Sequence, residues 1–133
     1  MSELFGGDAV LYPPPDSRLD IVETRAGQVV VIVVSGDLDM LTAPQLHDAI
    51  HSVTQDEAPA LIVDLSKVDF LGSVGMNLLV ATHHELKPTT RFGVVADGPA
   101  TSRPMELIGI DTVIALYKTL GDALAAFAET PLG

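Results

Sequence analysis

Apolar and polar positions along this chain fall into short segments whose period switches between strand-like and helix-like. Val29-Val30-Val31-Ile32-Val33-Val34 is an unbroken aliphatic run, five of its six residues valine. β-Branched side chains favour a strand over a helix, and the lack of alternation predicts burial on both faces. The strand covers Gln28 to Ser35 and Gly36 ends it; Leu19 to Thr24 precedes it, with Arg25-Ala26-Gly27 as the turn. A helix follows, because Leu46, Ala49, Ile50 and Val53 recur at i, i+3, i+4 and i+7. Thr42, with Gln45 three residues on, has the form of a capping box, and Leu41 and Leu46 hold the hydrophobic-staple positions. Pro44 falls in the first turn, where a missing backbone donor does no harm.

After Pro59, the run from Ala60 to Leu65, with Asp64 inside it, predicts a buried strand. Gly72 to Leu86 is a helix that starts near Ser73 and is apolar on most sides. Arg91 to Ala96 is a strand and Asp97-Gly98-Pro99 a turn. A short helix begins near Ser102 to Pro104 and stops at Gly109, which suits a left-handed C-cap. Val113 to Leu116 is a last short strand. Thr119 then caps a closing helix with Leu120, Ala123, Leu124 and Phe127 on one face. A hairpin followed by alternating helix and strand defines an α/β domain with about four helices. Its sheet is mostly parallel with one antiparallel edge strand. Right-handed crossovers put strand ends and the next helix starts on one rim, where open α/β sheets build their sites. Two rim loops stand out, Ser35-Gly36-Asp37-Leu38-Asp39 and Phe70-Leu71-Gly72-Ser73-Val74-Gly75.

Composition narrows the functions available. With 133 residues the chain fits one domain, expected at 19–129 behind a flexible tail at 1–18, where Gly6-Gly7 and Pro13-Pro14-Pro15 break any periodicity. The absence of cysteine removes disulfides, thiolate nucleophiles and cysteine metal sites. No aliphatic run approaches the roughly 20 residues of a membrane span, and no basic-then-apolar leader opens the chain. A cytoplasmic protein is the expectation. Eighteen acidic residues against seven basic ones give a formal charge of −11. Such a surface repels phosphate backbones and anionic lipid, so neither nucleic acid nor a membrane is expected as a partner.

Candidate chemistry is sparse. His47 and His51 have helical metal-ligand spacing, but Asp48 stands where a zinc-protease helix has Glu, and no third ligand is evident. His83 and His84 fit a favourable charge near a helix C-terminus. Gly72-Ser73-Val74-Gly75 approaches a nucleophile elbow, but Leu71 stands where the elbow needs its first glycine. Asp37, Asp39, Asp64 and Lys87-Pro88 carry the residue types of a phospho-receiver, but Lys87-Pro88 precedes a strand where a receiver has it following one. No cofactor is implied.

The rim loops do resemble a known family. Ser35-Gly36-Asp37-Leu38-Asp39 followed by Thr42-Ala43 resembles the Gly-Glu-Leu-Asp…Thr-Ala signature of the STAS-domain anti-sigma factor antagonists. Leu65 to Met76 resembles that family's phosphorylation segment, whose usual form is Phe-Met-Asp-Ser-Ser-Gly-Leu. The resemblance covers roughly residues 19 to 128 and implies a STAS-like fold. It implies a protein that binds an anti-sigma factor which is also a serine kinase, and so frees a sigma factor for transcription. Phosphorylation by the kinase releases the antagonist and a phosphatase resets it. By this resemblance Ser73 is the phosphoacceptor, and Asp37, Asp39, Thr42, Gly72, Ser73, Val74 and Gly75 form the partner surface. Ser73 is equally suited to be a helix N-cap, and the two roles are compatible.

The chain departs from the family pattern at two positions: Gly72 replaces the Asp before the phosphoacceptor, and Val74 replaces the second Ser. Loss of the carboxylate removes an acceptor for the serine hydroxyl. A weakly phosphorylated antagonist and one that binds without being switched both stay open. So do two rivals: a STAS module that senses a nucleotide or other small ligand, and a small hydrolase using Ser73.

Overall fold

The computed structural model describes residues 19–56, 58–86 and 90–129; the tail at 1–18 and Lys87-Pro88 lie outside the described residues. Among the described residues the elements in chain order are β1 (Asp20–Ala26), β2 (Val29–Leu38), α1 (Ala43–Gln55), β3 (Ala60–Leu71), α2 (Ser73–Glu85), β4 (Arg91–Val95), α3 (Ser102–Leu107), a 3-10 turn (Ile110–Thr112), β5 (Ala115–Tyr117) and α4 (Leu120–Glu129). The five strands form one sheet in sequential order, β1 antiparallel to β2 and the other pairs parallel.

The valine run behaves as its pattern requires. Val30, Ile32 and Val34 enter a large core with α1, α2 and α3, through Leu46, Ile50, Leu79 and Met105. Val29 and Val31 point the other way, into a smaller core beneath Ala123 and Phe127 of α4. Three helices on one face and one on the other cover the central strands twice, which is why they need no alternation. Arg91 anchors α4 to the start of β4, donating to the Phe127 carbonyl at 2.9 Å with its guanidinium over the Phe127 ring.

Thr119 caps α4 as expected, its hydroxyl accepting the Asp122 amide at 3.0 Å. Gly109 follows α3 at φ +83°, the left-handed conformation anticipated for it. Several boundaries differ from expectation. The hairpin turns at Gly27-Gln28, one step later than Arg25-Ala26-Gly27, and β5 begins two residues after Val113. Gly36 does not end β2; it sits inside the strand at φ +106° and the strand runs on to Leu38.

The largest difference is β3, which continues six residues past Leu65. Between Val33 and Ser35, and again between Gly36 and Asp37, β3 has one residue more than β2. These two irregularities act as bulges, which bend a strand and re-aim its side chains. Buried Asp64 props the first of them, its Oδ1 accepting the Ser66 amide at 2.9 Å. The consequence is positional: the ends of β2 and β3 rise together, pairing Asp37 with Phe70 and Leu38 with Leu71 at one rim.

Candidate functional site

The two rim loops leave the sheet side by side. Leu38 is fully buried at the end of β2, and its carbonyl accepts the Gly72 amide at 2.8 Å. That bond ties the start of α1 to the start of α2 across neighbouring strands.

In the first loop, the Asp39 carboxylate, the Thr42 hydroxyl and the Asp37 carbonyl are engaged at the helix start. The Asp39 carboxylate accepts the amides of Leu41 at 2.9 Å and Thr42 at 3.1 Å. Thr42 returns the contact, its hydroxyl oxygen accepting the Asp39 amide at 2.9 Å while donating to the Asp37 carbonyl at 2.7 Å. This is the reciprocal pattern of a capping box, with Asp39 as the cap and Thr42 three residues on. The expected box of Thr42 with Gln45 is therefore corrected: it lies one turn earlier, and Gln45 meets Thr42 only through the backbone. The expected staple fails too, because Leu41 is exposed while Leu46 is buried. The physical reason is the extra turn from Met40 to Thr42, joined to the helix by the Ala43 amide on the Asp39 carbonyl at 2.8 Å.

The second loop is open. Gly72 takes the N-cap position of α2 in an extended conformation that any residue adopts, and no side chain caps the helix. Ser73 is the first helical residue and is exposed. It is not the N-cap, and its hydroxyl makes no hydrogen bond to a side chain or backbone group among the described residues. The first turn of α2 carries no carboxylate either. Free amides, a positive dipole end and an unengaged hydroxyl thus coincide.

The other expected site residues divide by burial. Asp37 and Asp39 are half-buried, Gly72 is half-buried, and Val74 is exposed. Thr42 and Gly75, expected among the partner-surface residues, are buried. Thr42 is held inside by its hydrogen bonds. Gly75 is inside because α2 rests on Leu38: a Cβ there would lie 2.7 Å from Leu38 Cγ and 3.0 Å from Leu71 Cδ1. Both shape the rim from below.

Sequence reasoning missed the apolar rim. Met40 and Leu41 after β2, and Phe70 and Val74 on either side of Gly72-Ser73, are exposed; Met40 reaches 72% and Phe70 53%. The Phe70 ring lies over Gly72, within 3.3 Å of where a Cβ would stand. Four large apolar side chains exposed on two neighbouring loops are uncommon on a surface that touches only water. An available signal was the run Phe70-Leu71, in which the pleat lets only one of two neighbours reach the core. Away from the rim, His47 and His51 stack 6.2 Å apart on the exposed side of α1, and His83 and His84 close the last turn of α2. No helix among the described residues is long and apolar enough to cross a membrane.

Comparison with known proteins agrees with this architecture. The STAS domain model matches residues 20–123. The anti-sigma-F factor antagonist RsfB of Mycobacterium tuberculosis is 44% identical over 110 residues, covering 83% of this chain and 89% of that protein. The crystal structure of an anti-sigma factor antagonist from Mycobacterium paratuberculosis superposes with a TM-score of 0.81 at 51% identity, over 85% of this chain and 96% of that one. The Bacillus cell fate determinant SpoIIAA in its phosphorylated form shares the fold at 19% identity and a TM-score of 0.62, over 81% of this chain and 99% of that one.

Proposed function

We propose that this chain, which belongs to the STAS domain family, is a cytoplasmic anti-sigma factor antagonist. It acts by binding: its rim docks on an anti-sigma factor of the serine-kinase type and frees the sigma factor that protein holds. Ser73 is the phosphoacceptor, and a phosphatase restores the binding form. The names of the relatives at 44% and 51% identity support the first part. One observation carries the second: an exposed serine hydroxyl, without a hydrogen-bond partner among the described residues, opens an uncapped helix between exposed Phe70 and Val74 in the chain.

The physics of the switch follows from that placement. A phosphate adds about −1.5 to −2 charge and three strong acceptors. The free amides at the start of α2 can hold it without any rearrangement of the fold. A doubly charged group beside Met40, Phe70 and Val74 then has to be desolvated before the rim can close against an apolar partner surface, and binding is lost.

The test is a combined modification and binding assay. Wild type and Ser73→Ala are incubated with ATP and candidate anti-sigma kinases from the same organism, reading intact mass and complex formation together. Phosphate on wild type alone, with loss of the complex on modification, is the expected result. Tight binding without phosphate would remove the switch and keep the antagonist. Absence of both across all candidates would overturn the proposed function.

A further inference from the structure

The apolar rim does not stop at Ser73. It runs on into an open groove of about 480 Å³ between α1 and α2, which begins at Met40 and Val74 and ends at Ala81. The sequence of α2 explains why the groove is there. Gly75, Met76, Leu79 and Thr82 are buried toward the sheet. A second stripe at i, i+3, i+4 and i+7, namely Val74, Asn77, Leu78 and Ala81, faces the groove instead. An amphipathic surface helix has one such stripe; α2 has two, and the second meets only Pro44, Ala43 and His47 of α1.

Charge identifies what fits. Neither α1 nor α2 carries a Lys or Arg, whereas Asp39 and Asp48 flank the α1 side and Glu85 ends α2. An apolar strip bordered by acids, on a chain of net charge −11, complements an apolar ridge bordered by cations. Small-molecule pockets enclose their ligand and converge several polar groups on it. This groove is open and presents only His47 and Asn77.

We infer that the α1–α2 groove is a second contact surface for the same anti-sigma partner, receiving the apolar face of an amphipathic helix flanked by Lys or Arg. The inference rests on the proposed function, and it extends the interface about 11 Å along α2, from Val74 to Ala81 at the helical rise per residue. It also separates two tasks: the Ser73 rim is the part that phosphate would switch, and the groove adds affinity that the modification does not touch.

The experiment measures affinity for whichever anti-sigma factor binds the wild-type chain. Ala81→Arg and Asn77→Arg fill the far part of the groove at exposed helix positions, where Arg is a good helix former. Thr24→Arg adds the same charge on exposed β1, and thermal melts verify that all variants fold. The two groove variants are expected to weaken binding at least about tenfold, with Thr24→Arg within about twofold of wild type. Unchanged affinity in the groove variants, together with loss in Val74→Arg, would confine the contact to the rim. That result overturns the inference and leaves the proposed function standing. Equal weakening by all three substitutions would also overturn it, since added charge alone would then explain the effect. A wild-type chain that binds no candidate removes the proposed function, and the groove contact with it.

Discussion

The two loops that meet at the rim are built on opposite plans. From Asp37 to Thr42, the polar groups at the helix start are tied together: the Asp39 carboxylate, the Thr42 hydroxyl and the Asp37 carbonyl are held in one set of hydrogen bonds. From Leu71 to Gly75, the helix start is left without a cap and the serine hydroxyl without a partner among the described residues. Residues equally suited to capping stand in both places, and only one set caps. The closed loop fixes where the rim lies. The open loop keeps donors and a hydroxyl available for something that arrives from outside.

Breaking the closed loop has the largest expected effect on stability. Thr42→Val keeps the shape but strands the Asp37 carbonyl and the Asp39 amide near a fully buried position, at a cost of about 2–3 kcal/mol. Chemical unfolding should show a lower midpoint with an unchanged slope. Loss of less than about 0.5 kcal/mol would mean that water replaces the hydroxyl.

Gly75→Ala comes next and probes the support beneath the open loop. Helix propensity favours alanine by about 1 kcal/mol. The contact at 2.7 Å with buried Leu38 opposes it, and overpacking costs about 1–3 kcal/mol. A net loss of about 1 kcal/mol is expected in thermal melts, and weaker partner binding with it, because α2 must move off Leu38. A gain in stability would show that Leu38 yields.

The remaining pair makes the two loops more alike. Asp39→Ala removes a cap and is expected to cost about 1 kcal/mol by the same unfolding measurement. Gly72→Asp supplies the missing cap: the backbone there is extended at φ −84°, and the Phe70 ring need shift by only a few tenths of an ångström. Its gain is expected to be about 0.5 kcal/mol from capping and helix-dipole terms. The same variant places a carboxylate beside Ser73, and faster phosphate transfer in the kinase assay is the accompanying expectation. An unchanged rate would show that Gly72 does not limit the modification.

Some of this was legible in the chain. The valine run needed no tertiary information, because burial on both faces is written in consecutive apolar residues. The stripe of Leu46, Ile50 and Val53 was legible for the same reason. The second half of β3 was not. From Leu65 to Leu71 its buried positions recur every third residue, at Leu65, Val68 and Leu71, a period belonging neither to a plain strand nor to an α-helix. Two offsets against β2 produce that spacing, and they exist only once the strands pair. Thr42 was singled out correctly as a residue of the α1 start. Its partner was misassigned, because Asp39 and Gln45 both stand three residues away and local sequence does not choose between them.

By itself, then, the sequence determined the order of elements, the aliphatic core, the acidic surface and the serine near a helix start, all properties of residue type and short spacing. The tertiary structure decided which polar groups are consumed and which stay free, and that Met40, Leu41 and Phe70 face outward beside Ser73. Those outcomes depend on the register between β2 and β3, whose paired residues Asp37 and Phe70 stand 33 positions apart in the chain. No local pattern carries that information: it is set by how two buried strands match their side chains across the sheet.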